Sequence, residues 1–186
     1  MATPRFMLAG QSSGCGKTTV TCAVLQALVN RGLQVGAFKC GPDYIDPMFH
    51  SRIIGAKARN LDLHFFSENT LRCLLAQNAA DRDVSVIEGV MGYYDGAGLT
   101  SEKASSYEVA QVSRTPVVLV VNARGAALSL LPVIQGFLHF RASSGIRGVI
   151  LNQCTAMTYG ALKPCIEAQC GIRCYGFLPR IAEAEV

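Results

Sequence analysis

This sequence predicts an α/β fold with a mostly parallel sheet flanked by helices, and three observations carry the prediction. Short β-like runs alternate with helical ones along the whole chain, the order that builds parallel βαβ units. Several of the runs are almost wholly apolar, as strands covered on both faces must be. The first run joins the first helical segment through a glycine-broken loop, "GQSSGCGKTT" at residues 10–19.

The first strand is "RFMLAG" (5–10). Beyond the glycine loop, Val20, Ala23, Val24, Ala27 and Leu28 recur at helical spacing, and Arg31-Gly32 closes that helix. "QVGAFK" (34–39) is the second strand. The segment 40–62 reads as irregular, because Gly41-Pro42 breaks the strand and Pro47 forbids a helix through Asp46. A helix near 67–80 leads to the third strand, "VSVIEGV" (84–90), and then to a second irregular segment, 91–103. The remaining strands are "PVVLVVNA" (116–123), "RGVILNQ" (147–153) and "RCYGFL" (173–178), with helices near 104–113, 126–140 and 158–169. Ligands of open α/β sheets bind beyond the carboxyl ends of the strands. Both irregular segments follow strand ends and therefore belong to the site.

A chain of 186 residues, half of them hydrophobic, suits one domain with a real core. Its 17 basic and 13 acidic residues leave a mild +4 with no run of like charge, so no nucleic-acid footprint is indicated. No apolar stretch reaches the roughly 20 residues of a membrane helix. The eight cysteines follow no secretory signal, and several sit in apolar runs where buried thiols are common. The expected location is a reducing cytoplasm.

A strand, then glycines, then Lys-Thr opening a helix is the layout of a P-loop, which makes the expected fold a three-layer P-loop NTPase fold. Backbone N–H groups of Gly14, Gly16 and the helix start, with Lys17, Thr18 and Thr19, would bind the phosphates of ATP, and the Thr18 hydroxyl would meet Mg²⁺. Five residues separate Gly10 from Gly16, one more than the usual pattern, but the parts that touch phosphate are kept. A glycine-rich turn with a surface lysine is the bland alternative. Ser12 stands where partitioning and nitrogenase-type ATPases carry an extra lysine, which counts against a dimerising switch.

Two acidic constellations flank this loop. "KCGPDYIDPMFH" (39–50) presents Lys39, Asp43 and Asp46 at the carboxyl edge of the sheet, where solvated aspartates in an Asx-turn are the competing account. "VIEGVMGYYDG" (86–96) ends an apolar strand on Glu88, where a charge is costly unless paired or beside a metal, and delivers Asp95 beyond a series of glycines. Glu88 has the position of a Walker-B-type acid able to hold Mg²⁺ or its water.

Together with "RNLDLHFF", these blocks resemble the N-terminal synthetase domain of the cobyrinic acid a,c-diamide synthase family, within the dethiobiotin synthetase-like P-loop amidoligases. The resemblance runs over nearly the whole chain. It implies ATP- and Mg²⁺-dependent activation of two carboxylates of a corrinoid polycarboxylate as acyl phosphates, which ammonia converts to amides. It further implies roles for Asp43, Asp46, Glu88 and Asp95. Asp43 is carried over both as a metal ligand and, with Asp46, Asp95 and Lys39, as a catalytic group. Asn152, ending the strand in "ILNQ", matches an asparagine that reads the adenine edge; an ordinary strand-end asparagine competes with that reading. Arg52, Lys57 and Arg59 could meet macrocycle carboxylates or form a solvated helix face. Tyr93 departs from the aliphatic residue common in the family, with no clear chemical consequence.

These synthetases normally continue into a glutaminase domain with a nucleophilic cysteine, which this sequence lacks. The expectation is a synthetase domain over 1–186 that takes ammonia from a glutaminase domain or subunit outside this chain. His50, His64 and His139 suggest no Cys-His partner. A homodimer stays open. Hydrogenobyrinic acid and nickel sirohydrochlorin are alternative acceptors, and a partitioning or regulatory ATPase is the alternative from another class.

Overall fold

A computed structural model describes residues 3–181. Its strands are β1 (Arg5–Gly10), β2 (Val35–Cys40), β3 (Lys57–Leu61), β4 (Val84–Glu88), β5 (Val117–Asn122), β6 (Ile146–Asn152) and β7 (Arg173–Phe177). They form one sheet in the order β3-β2-β4-β1-β5-β6-β7, every neighbouring pair parallel. The helices are α1 (Lys17–Asn30), α2 (Ile45–Phe49), α3 (Glu68–Ala79), α4 (Ser106–Ser113), α5 (Leu130–His139) and α6 (Ala156–Cys170), with a π-helical turn at His50–Ile54 continuing α2.

Successive side chains of a strand face opposite sides, and here that alternation builds two cores. Met7, Ala9, Phe38, Ile87, Leu119 and Val121 pack with buried residues of α3, α4, α5 and α6. Leu8, Ala37, Val86 and Val120 pack instead with Val20 and Leu25 of α1 and with Ile54 of the π-helical turn. The result is three layers, with the sheet buried between them.

Residues 40–62 depart from the expectation of an irregular segment. That segment is not irregular: it holds α2, the π-helical turn and a seventh strand. Pro47 does not exclude Asp46 from a helix, because it lies in the first turn of α2, where its missing N–H would have had no intrahelical partner. β3 is the strand at one edge of the sheet and carries Lys57, Arg59 and Asn60 in five residues, so it lacks the apolar run that marks the inner strands. Lys57 and Arg59 accordingly sit on a strand and not on a solvated helix face.

Candidate active site

The site grows from the ends of β1, β2 and β4. Gly14 and Gly16 take left-handed φ values of 70° and 92°, so the loop after β1 turns tightly into α1. A side chain at Gly16 would also collide with the Asn152 amide. Gly10 fills a second close-packing role, since a Cβ there would stand 2.7 Å from Lys17 Cγ. The early glycine thus makes room for the stem of the phosphate lysine. Lys17 is buried, and its ammonium donates to the Ser12 carbonyl at 3.1 Å. Burial lowers its pKa below the ordinary lysine value.

Strand register brings the charged residues together. Lys39 of β2 lies directly across from Glu88 of β4 on one side and from Asn60 of β3 on the other. Their neighbours Phe38, Cys40 and Ile87 point into the core beneath α3–α6, so Lys39 and Glu88 face the α1 side. There Thr18, in the first turn of α1, donates its hydroxyl to Glu88 Oε1 at 2.7 Å. Lys39 Nζ donates to the same oxygen at 2.7 Å and to Asp46 Oδ2 at 2.6 Å. Thr18 and Asp46 are 3.5 Å apart, and Asp43 Oδ2 lies 3.8 Å from Lys39.

Burial and pairing pull these groups in opposite directions. Glu88 is fully buried, which pushes its carboxyl pKa up, and Lys39 and the Thr18 hydroxyl work against that rise. Burial disfavours the Lys39 ammonium, but Glu88 and Asp46 outweigh it and raise its pKa. Asp46 is likewise desolvated, yet its hydrogen bond and charge contact with Lys39 hold it below the ordinary carboxylate range.

The other predicted residues stand around this centre, Asp43 touching it through Lys39. Asp43 Oδ1 accepts from the N–H groups of Ile45 and Asp46, so this carboxylate fixes the start of α2. Asp95 is exposed in the loop after β4 and accepts from Gly92 N–H at 2.9 Å; its charge also acts on Lys17. Thr19 is half-buried in the first turn of α1. Asn152, buried at the end of β6, donates to the Cys15 carbonyl at 3.0 Å and braces the phosphate loop from behind.

Sequence reasoning missed His50. Its ring is 1 % exposed, neither nitrogen has a hydrogen-bond partner, and Nε2 lies 3.5 Å from Glu88 Oε2. Glu88 Oε2 is equally unpartnered. The π-helical turn starts at His50, and such turns often occur at functional sites; no sequence signal for it was visible.

The donor set fits a magnesium ion. Thr18 and Glu88 offer hard oxygens at the mouth of the phosphate loop, one of them buried and without a partner. Among the described residues no three His, Cys, Asp or Glu side chains converge as a metal cage. Mg²⁺ suits such a site, because it keeps waters and substrate phosphates in its shell.

Fold and loop together define a P-loop nucleotide-binding domain. The family described as CbiA, the CobQ/CobB/MinD/ParA nucleotide binding domain, matches residues 6–185, and the chain belongs to it. It is 42% identical to the cobyrinate a,c-diamide synthase of Streptococcus sanguinis over 98% of this chain and 41% of that protein. It is 41% identical to the cobyrinate a,c-diamide synthase of Salmonella typhimurium, over 94% of this chain and 38% of that protein. Against the hydrogenobyrinate a,c-diamide synthase of Streptomyces coelicolor it is also 41% identical, over 99% of this chain and 38% of that protein. The chain therefore spans about two fifths of the length of these relatives. Among solved structures, chloroplast FtsY from Physcomitrella patens shares the fold with a TM-score of 0.68 at 14% identity, covering 94% of this chain and 58% of that one. The signal recognition particle 54 kDa protein of Aeropyrum pernix, solved with GDP, gives 0.65 at 18% identity, covering 97% of this chain and 42% of that one.

Among the described residues no helix is long and apolar enough to cross a membrane, and all eight cysteines of the chain are free thiols.

Proposed function

We propose that this chain amidates the a and c side-chain carboxylates of cobyrinic acid with ATP, Mg²⁺ and ammonia, as the synthetase part of a cytoplasmic cobalamin-biosynthetic ligase. The observation that carries the reading is the convergence of Thr18, Glu88, Lys39 and Asp46 on one point beside the phosphate loop. The names of the relatives support the choice of acceptor.

The reaction brings a carboxylate against a triphosphate, so the site must offset negative charge. Lys17 can exchange the Ser12 carbonyl for a terminal phosphate oxygen, and the N–H groups around Gly14, Gly16 and Thr19 receive the others. Magnesium held by Thr18 and Glu88 would add positive charge at the transferring phosphate. Lys39 stands beside that position, anchored by two carboxylates, and would meet the acceptor carboxylate or the developing charge. The acceptor oxygen attacks the terminal phosphorus and ADP leaves. Ammonia then attacks the acyl carbon, phosphate departs with the acceptor's oxygen, and a carboxylate takes the proton that ammonia sheds. Asp46 and Asp95 are the candidates for that last step, and Asp43 holds the α2 segment that presents Asp46. The free acceptor oxygen of Asn152 could read an adenine edge while its NH₂ holds the loop.

Hydrogenobyrinic acid is a second acceptor, favoured by the Streptomyces coelicolor relative. The test is mass spectrometry of the corrinoid after incubation with ATP, Mg²⁺ and a nitrogen source. The chain is expected to form amide from ammonium salts and not from glutamine, with yield rising with pH because only neutral ammonia attacks. Efficient product from glutamine would contradict the assignment of ammonia to a separate glutaminase, and amide formed without ATP would contradict the ligase reading.

A further inference from the structure

Beside the charged centre, a cleft of about 460 Å³ runs between the α2–π-helix segment and the edge strand β3. Tyr44 and Met48 line it with apolar surface and are 77% and 49% exposed. Ile45, Phe49 and Ile53 continue the apolar surface on the neighbouring stripe of the same segment. Five large apolar side chains within ten residues of a short helical segment are more than scattered surface hydrophobics, and a patch of this kind marks a binding surface.

Two of the three charged residues lining the cleft are arginines. Arg52 is exposed and makes no polar contact with other described residues. Arg59 is exposed too, and spends one N–H on the adjacent Ala58 carbonyl. Asp43 is the acid that lines the cleft, and one of its oxygens is occupied by the start of α2. At the inner end Asn60 donates to the Asp43 carbonyl, while its buried Oδ1 has no partner. Strand register places Asn60 next to Lys39, so the cleft leads straight to the charged centre.

We propose that this cleft seats the rim of the tetrapyrrole acceptor. The apolar side chains lie against the macrocycle, and Arg52 and Arg59 grip side-chain carboxylates that are not under attack, while the reacting carboxylate points past Asn60 to Lys39. The proposal rests on the reading of the reaction given above. A tetrapyrrole polycarboxylate has an apolar ring edged with anions, which matches an apolar floor edged with guanidinium groups. The volume admits only part of such a ring, so the remainder lies on the exposed stripe.

The test is an absorbance titration of cobyrinic acid with the full chain, without nucleotide, beside calorimetry with a non-hydrolysable ATP analogue. Arg52→Ala combined with Arg59→Ala is expected to weaken corrinoid binding by about tenfold or more and to leave ATP-analogue affinity unchanged. Arg147→Ala combined with Arg173→Ala removes the same charge from exposed residues at the amino ends of β6 and β7, away from the carboxyl edge, and should leave both affinities unchanged. Unaltered corrinoid affinity in the first pair, or equal loss in both pairs, would overturn the cleft assignment alone. Parent protein that binds the ATP analogue but no corrinoid would overturn the acceptor reading and the cleft's occupant with it. Sedimentation of Ile53→Ser supplies the last arm. A parent dimer that this change dissociates, with corrinoid affinity unaltered, would assign the patch to a second copy of the chain and overturn the proposal.

Discussion

Glu88 shows how much a single position can disclose and how much it hides. A carboxylate closing an apolar strand is expensive to bury alone, so partners were expected from the sequence, and Lys39 and Thr18 are those partners. The fourth member, His50, was not legible. It comes from a π-helical turn 38 residues before Glu88 in the chain, where Nε2 lies 3.5 Å from Oε2. His50→Phe keeps an aromatic ring in the buried space but removes the polar edge facing that oxygen. Expected is a rise of about fivefold, roughly 1 kcal/mol of lost Mg²⁺ affinity, in the Mg²⁺ concentration needed to support binding of a fluorescent ATP analogue. Binding without Mg²⁺ should stay as in the parent, and His50→Gln should recover part of the loss. If Mg²⁺ dependence is the same in all three proteins, His50 only fills space. Tyr93, where the family's aliphatic residue is absent, is fully buried and donates to the Ser144 carbonyl, so its hydroxyl ties the loop after β4 to the turn before β6.

At the scale of elements, the inner strands were legible because each is an apolar run, and the edge strand β3 was not because its exposed side carries polar residues. Helix ends were legible within a few residues, and the structure gives the reasons. Ser67, Ser105 and Thr155 each accept a backbone N–H as the N-cap of α3, α4 and α6. The start of α4 also supports the site. Ser106 is fully buried, and its hydroxyl donates to the Val90 carbonyl and accepts from the Val90 N–H. Gly89 permits that approach, since a Cβ there would stand 2.7 Å from Ser106 Oγ. These contacts lock the end of β4, and with it the segment that carries Asp95. Ser106→Ala leaves both Val90 groups without this partner, so a stability loss of about 1–3 kcal/mol is expected in urea unfolding. Amidation should fall further than ATP-analogue binding, because the phosphate loop lies on a different strand. A variant as stable as the parent would show that water replaces the hydroxyl without cost.

For the whole molecule, the chain folds its phosphate loop, its charged centre and the cleft proposed for the acceptor onto the carboxyl edge of four neighbouring strands, β3, β2, β4 and β1. The sequence allowed the phosphate loop and the charged centre to be anticipated, because glycine-broken loops and lone charges followed apolar runs, but not β3 and the cleft beside it. What it could not supply was the order of strands across the sheet, which is what puts Asn60, Lys39 and Glu88 in one row. In the proposed reaction this row assists transfer of the terminal phosphate of ATP to a carboxylate. The most direct measurement uses cobyrinic acid whose carboxylates carry heavy oxygen, incubated with the chain, ATP, Mg²⁺ and ammonium, followed by mass analysis of the inorganic phosphate. An acyl phosphate intermediate leaves one carboxylate oxygen on phosphorus when ammonia displaces it. The account therefore predicts one heavy oxygen in phosphate for each amide formed, with neither label transfer nor amide in Lys17→Ala. Amide formation with unlabelled phosphate would contradict it, since the carboxylate would then have been activated by some route other than phosphoryl transfer.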